Sequence, residues 1–200
     1  STLDGTTGFR LDGVDAGDQT GRASSGAGDV NADGFDDIII GARYNDPGGN
    51  GSGASFVMFG KDSGFAASID LSTLDGASGF RLDGASSQDA MGISGGSAGD
   101  VNGDGFDDII VGAFRGAPSS LSQAGESYVV FGTNFNGEVS FLGDSNANTL
   151  TGSTAAENFV AGQGNDTING GGGNDVIRAG AGNDALRGGS GSDVLRGGSG

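Results

Sequence analysis

The chain has 200 residues, enough for one or two small domains, of which only 34% are apolar and 45 are glycine, with 26 acidic side chains against 9 basic ones for a formal charge of −17. That charge argues against nucleic acid or an anionic membrane surface as a partner, and no apolar run is long enough to span a bilayer. With no histidine and no cysteine, Ser-His-Asp and Cys-His chemistry, histidine or thiolate zinc sites and disulfides are all excluded.

Glycine loses more backbone freedom on folding than any other residue, so something besides a hydrophobic core must offset the cost. Two readings fit such a composition: disorder, which needs no register, or carboxylates set in register for a cation. The chain opens on polar Ser1-Thr2-Leu3-Asp4, without the positive start of a signal peptide, and closes inside a repeat at Gly197-Gly198-Ser199-Gly200. The expectation is an excerpt of a longer protein, truncated at its C-terminal end.

A repeat of period 71 occupies the first two thirds. Ser1–Gly5 returns as Ser72–Gly76, Gly8-Phe9-Arg10-Leu11-Asp12-Gly13 as Gly79-Phe80-Arg81-Leu82-Asp83-Gly84, and Ala27–Asn31 as Ala98–Asn102. The run Asp37–Ala42 returns as Asp108–Ala113, and Ser55–Gly60 as Ser127–Gly132 with one inserted residue. Short β-branched and aromatic runs between Gly, Asn, Asp and Ser clusters predict strands and turns. The continuous runs Ile38–Ile40 and Ile109–Val111 predict strands buried on both faces, and a unit of several strands predicts one propeller blade per repeat.

Within each unit lies an oxygen-rich loop. Asp29, Asn31, Asp33 and Asp37 stand at loop positions one, three, five and nine, with Gly34 at six to permit a sharp reversal. Alternate positions of a tight loop can converge their side chains, and Phe35 at seven would offer its carbonyl. That set suits calcium, which takes six to eight oxygens in a flexible cage. The second copy supplies Asp100, Asn102, Asp104, Phe106 and Asp108. Position twelve is Ile40 or Val111, inside a predicted strand, so these are not EF-hands, which need a bidentate Glu there and flanking helices. A pair of solvated Asx turns is the plainer alternative, but two copies with the same spacing and glycine favour metal. Residues 14–133 resemble two FG-GAP repeats, the blades of the integrin α-subunit propeller, although Thr20-Gly21 and Met91-Gly92 replace the Phe-Gly pair and Gly41-Ala42-Arg43 and Gly112-Ala113-Phe114 replace Gly-Ala-Pro. The resemblance implies that these two sets of five residues are calcium ligands. Such propellers close with about seven blades, and the first thirteen residues resemble the joining strand of a blade.

From Gly143 a second repeat, of period nine, takes over: Asp166, Asp175, Asp184 and Asp193 are evenly spaced, as are Leu150, Phe159, Ile168, Ile177, Leu186 and Leu195. Asn148 and Glu157 hold the aspartate register of two earlier copies. The unit Gly-Gly-x-Gly-x-Asp-x-apolar-x predicts a six-residue turn and a three-residue strand, with successive turns on opposite edges of a flattened solenoid. Residues eighteen apart then stack about 4.8 Å apart, calcium sits between stacked turns on Asp carboxylates and glycine carbonyls, and the apolar row fills a thin core. The candidate ligands are Gly164, Asp166, Gly173, Asp175, Gly182, Asp184, Gly191 and Asp193. A Gly-rich linker is the alternative, but a linker has no reason to keep six apolar residues in register. The pattern resembles the RTX, or haemolysin-type, family, whose members leave Gram-negative bacteria by type I secretion and fold outside the cell. Arg178, Arg187 and Arg196 form a nine-spaced row expected to balance charge on one solenoid face.

The expected fold is therefore all-β: two FG-GAP propeller-type repeats over residues 1–135 (units near 14–60 and 85–132), a linker at 136–142, and a calcium-bound parallel β-roll over 143–200. Several calcium ions are the expected cofactor. Gly92-Ile93-Ser94-Gly95-Gly96 fits the esterase pattern Gly-x-Ser-x-Gly, but without histidine it carries no catalytic expectation, and the chain reads as no enzyme. The expected role is a calcium-stabilised, non-catalytic segment of a larger secreted or bacterial surface protein, serving adhesion or binding of an extracellular protein or glycan. The alternative is the repeat tail of a secreted protease, lipase or phospholipase. On this reading, loss of a loop aspartate leaves the solenoid transition intact.

Overall fold

The structure, a computed structural model, describes residues 3–47, 49–118, 121 and 123–200. Ser1 and Thr2, which open the first copy of the long repeat, lie outside the described residues. The chain is all-β, with no α-helix among those residues and a turn of 3-10 helix at Leu71–Thr73. Asp70 caps that turn by accepting the Ser72 N–H at 2.8 Å.

The chain divides into two compact units. The first comprises residues up to Gly28, Asp36–Ser97 and Ile109–Val130. Its strands are β1 (Arg10–Asp12), β2 (Ala23–Gly28), β3 (Asp37–Ala42), β4 (Ala54–Met58), β5 (Ser68–Asp70), β6 (Gly79–Asp83), β7 (Met91–Gly99), β8 (Asp108–Ala113) and β9 (Glu126–Val130), β7 and β8 each running at one end past the unit's limits. β2-β3-β4-β6 form a four-stranded antiparallel sheet, the form of a propeller blade, and its fourth strand is borrowed from the start of the next repeat. β7-β8-β9 form the second sheet. Phe56, Leu71, Ile40, Ala42 and Ala54 make the core of the first blade, with Leu11, Val14, Ile38 and Leu74 packed around it.

The two buried runs behave differently. Ile39 and Val57, paired across β3 and β4, are 2% and 0% exposed, whereas their repeat equivalents Ile110 and Val129 are 42% and 45% exposed. The cause is visible on β7: a Cβ on Gly95 would lie 3.1 Å from the Ile39 side chain, so β7 lies over the first blade's face. Gly92–Gly96 lies within β7, not on the strand-to-helix elbow that esterase chemistry requires. β1, the repeat copy of β6, pairs in parallel with the short β5.

The second unit comprises Asp29–Phe35, Ala98–Asp108 and Phe131–Gly200. Its strands are β10 (Phe141–Asp144), β11 (Thr149–Thr151), β12 (Asn158–Gly162), β13 (Thr167–Gly172), β14 (Val176–Arg178), β15 (Ala185–Ser190) and β16 (Val194–Arg196). They alternate between two parallel sheets, β10-β12-β14-β16 and β11-β13-β15. Phe159 pairs with Ile177 and Ile168 with Leu186, each eighteen residues apart, as the nine-residue period predicts. Phe159, Ile168 and Ile177 are fully buried between the sheets, with Ala161 and Ala179 beside them and Phe141, Leu150 and Leu186 packed around. Leu195 belongs to the same row but is 44% exposed.

Candidate metal centres

The two oxygen-rich loops are built alike. In the first, Asp29 Oδ1 accepts the Asp33 N–H at 3.0 Å and Oδ2 accepts the Gly34 N–H at 2.8 Å. Asn31 Oδ1 accepts the Asp33 N–H at 3.2 Å, its amide donates to Asp33 Oδ2 at 2.8 Å, and Asp33 Oδ1 accepts the Phe35 N–H at 2.9 Å. In the second, Asp100 accepts from Asp104 and Gly105 at 3.0 and 2.9 Å, Asn102 accepts from and donates to Asp104 at 3.1 and 2.7 Å, and Asp104 accepts from Phe106 at 3.0 Å. The ninth positions fasten the following strand: Asp37 accepts the Gly60 N–H at 2.8 Å and Asp108 the Gly132 N–H at 2.9 Å. Each loop is thus preformed by its own backbone, which lowers the ordering cost of binding an ion.

Among the described residues no three acidic side chains close around one point. The loops offer a mixed set of carboxylate, side-chain amide and backbone carbonyl, the kinds of oxygen calcium takes. Electrostatics of the second loop fit a cation. Burial holds the Asp104 carboxyl above its ordinary range, the charges of Asp100 and Asp108 add to that, and the Phe106 N–H and Asn102 amide work against it. Phe35 is 42% exposed and Phe106 only 4%, so the two seventh positions sit in different surroundings.

The solenoid aspartates are ordered differently. Oδ1 of each accepts a backbone N–H from the residue eighteen earlier: Asp166 from Asn148 at 2.7 Å, Asp175 from Glu157 at 3.0 Å, Asp184 from Asp166 at 2.9 Å and Asp193 from Asp175 at 3.0 Å. Oδ2 of Asp166, Asp175 and Asp184 is buried without a hydrogen-bond partner. A buried, unpaired carboxylate oxygen is costly, and its recurrence on both edges of the solenoid fits divalent cations better than any arrangement of the chain alone. Burial raises the Asp175 carboxyl above its ordinary range and the charges of Asp193 and Glu157 add to that, against the Glu157 N–H.

The paired glycines complete the cradle. Gly164, Gly173, Gly182 and Gly191 all have positive φ, at 123°, 103°, 144° and 136°. A Cβ on Gly182 would fall 1.6 Å from the Gly164 carbonyl oxygen, and one on Gly191 1.7 Å from that of Gly173, so these carbonyls aim at the next coil. On each edge, Asp carboxylates and glycine carbonyls would hold the ion. Once bound, it would neutralise the stacked carboxylates.

Two sets of residues escaped the sequence reading. Asn165 and Asn174 accept the N–H of Asn183 and Ser192 at 2.9 Å, a side-chain ladder between coils whose signal was the asparagine preceding Asp166, Asp175 and Asp184. Arg178 corrects the expected arginine row. It stacks with Arg196 across β14 and β16, while Arg187 lies on β15 in the other sheet, so the three do not share a face. Arg178 is 4% exposed and ion-paired with the fully buried Asp29. Burial lowers its pKa to about 10, the neighbouring Arg196 contributing.

A model of the RTX calcium-binding nonapeptide repeat matches residues 142–177, 151–186 and 178–200, and one of the FG-GAP repeat matches residues 21–58 and 92–130. The chain carries FG-GAP repeats followed by RTX calcium-binding repeats. Integrin alpha pat-2 of Caenorhabditis elegans is 34% identical over 101 residues, covering 50% of this chain. The chain spans 8% of the length of that relative. RTX repeats indicate several bound calcium ions, and no helix among the described residues is long and apolar enough to cross a membrane.

Proposed function

We propose that this chain is a calcium-stabilised, non-catalytic segment of a larger secreted or surface protein, and that it serves as an adhesion or binding scaffold for an extracellular protein or glycan. The observation that supports it most directly is that Oδ2 of Asp166, Asp175 and Asp184 is buried and unpartnered, on both edges of the solenoid. The ligands proposed are the two FG-GAP sets, Asp29, Asn31, Asp33, Phe35 and Asp37 with Asp100, Asn102, Asp104, Phe106 and Asp108, and the RTX set of Gly164, Asp166, Gly173, Asp175, Gly182, Asp184, Gly191 and Asp193. Both repeat types accompany extracellular or surface proteins, and outside the cell calcium is plentiful enough to fill weak sites. Without the ion, stacked carboxylates repel and a glycine-rich chain has little to hold it. With it, binding free energy becomes folding free energy.

The test is circular dichroism of the 200-residue chain through a calcium titration from chelator to ~10 mM, the range of extracellular modules. A cooperative gain of β signal is expected. A spectrum already β-rich in chelator and unmoved by calcium would sink the reading.

A further inference from the structure

The two FG-GAP loops carry the same oxygens at the same spacing, yet the structure treats them differently. Asp29 and Asn31 are 0% exposed, while Asp100 is open to solvent. Asp29 receives the Arg178 guanidinium on Oδ2, the oxygen that also accepts the Gly34 N–H. Asp100 holds only backbone N–H groups among its described partners. The described hydrogen bond from the solenoid to the second loop is uncharged, the Gln163 amide donating to the Asn102 carbonyl at 2.8 Å, and although the Arg178 stem passes near Gly105, its guanidinium pairs with Asp29.

Arg178 is carried by β14, whose Ile177 points into the solenoid core and whose flanking residues face outward. A Cβ on Gly34 would meet Val176 at 2.9 Å, and one on Gly105 would meet Val160 at 2.8 Å, so both loops lie directly on this outer face. The Arg178 stem is therefore pinned, and its charge stays at Asp29.

We propose that Arg178 is a built-in cation for the first loop, so that this loop binds calcium more weakly than the second, and that the solenoid sets the affinity of the first loop through this one side chain. The proposal rests on the calcium reading of the loops. A fixed positive charge beside a carboxylate that calcium must share lowers the net negative charge of the donor set and repels the ion. β14 lies between the turns of Asp175 and Asp184, so ordering of those turns delivers Arg178 to Asp29. Arg178 is in this sense a positioning residue that links the two repeat types.

Equilibrium dialysis against calcium, on the whole chain, tests it. Asp33→Asn identifies the site of the first loop by what it removes, and Asp104→Asn that of the second. In the unaltered protein the second loop is expected to be tighter by on the order of tenfold, from the Coulomb cost of one nearby positive charge. Arg178→Gln is expected to tighten the first site by a similar factor, while Arg178→Lys, which keeps the charge, leaves it weak. Equal affinities in the unaltered chain, or a first site unchanged or weakened in Arg178→Gln, would overturn the proposal. The comparison of the two loops needs no change at Arg178 and stands even if that variant folds poorly. If Asp33→Asn and Asp104→Asn remove no calcium at all, it is the calcium reading of the loops that fails.

Discussion

Gly105 shows how tightly a single position can be constrained. Its φ is +89°, and an added Cβ would sit 2.8 Å from a Val160 methyl. Gly105→Ala therefore meets both backbone strain and a clash, with an expected loss of ~1–3 kcal/mol in urea unfolding at saturating calcium. An unchanged midpoint would mean that the loop is free to lift off β12. The glycine and aspartate positions were legible in the sequence because their spacing is fixed by the turn itself. Arg178 was not. Its nine-residue spacing from Arg187 looks like a solvated row, and only the packing of Gly34 and Gly105 on β14 and β12 reveals that its side of the sheet is covered.

For the strands, period decides most of what is seen. Each apolar residue of the nine-residue unit turns inward, and Phe159 stacks on Phe141 with ring centroids 4.6 Å apart. Ile177 is fully buried, so Ile177→Ala is expected to cost about 2–5 kcal/mol. Leu195→Ala, at a position 44% exposed, is expected to cost well under half of that, both read as shifts in thermal midpoint at fixed calcium. The sequence placed the register of these strands correctly, since a slip of one residue would turn the apolar row outward, but β12, β13 and β15 run to five or six residues rather than three because their pairing continues into the glycine turn. It erred at Ile110, where a run identical in character to Ile38–Ile40 is exposed on one face. Local composition shows that a strand is apolar; it cannot show whether another strand, as β7 does for Ile39, lies over it.

Across the molecule, repeat boundaries and packing follow different lines. By sequence the oxygen-rich loops belong to the FG-GAP repeats; by contact Asp29–Phe35 and Ala98–Asp108 belong with the RTX solenoid. Ala32, Phe106 and Val160 form one buried cluster, with Val139 against it. The sequence alone led to independent calcium transitions for the two regions. Packing changes that expectation: Asp104→Ala, which loosens the second loop over β12, is expected to raise the calcium concentration needed for the solenoid transition by several-fold, followed by circular dichroism. An identical solenoid midpoint in the variant would mean that the contact transmits nothing. Long-range association of this kind has no local signature, which is why spacing and composition missed it.

Side chains clasp neighbouring solenoid coils from both sides. Asp184 and Asp193 Oδ1 hold the Asp166 and Asp175 N–H groups of the coil before, while Asn165 and Asn174 Oδ1 hold the Asn183 and Ser192 N–H groups of the coil after. Each junction is thus a two-way clasp that neither coil closes by itself. A coil at an end of such a stack keeps one side of its clasps empty, so fraying is expected to begin there and to move inward coil by coil.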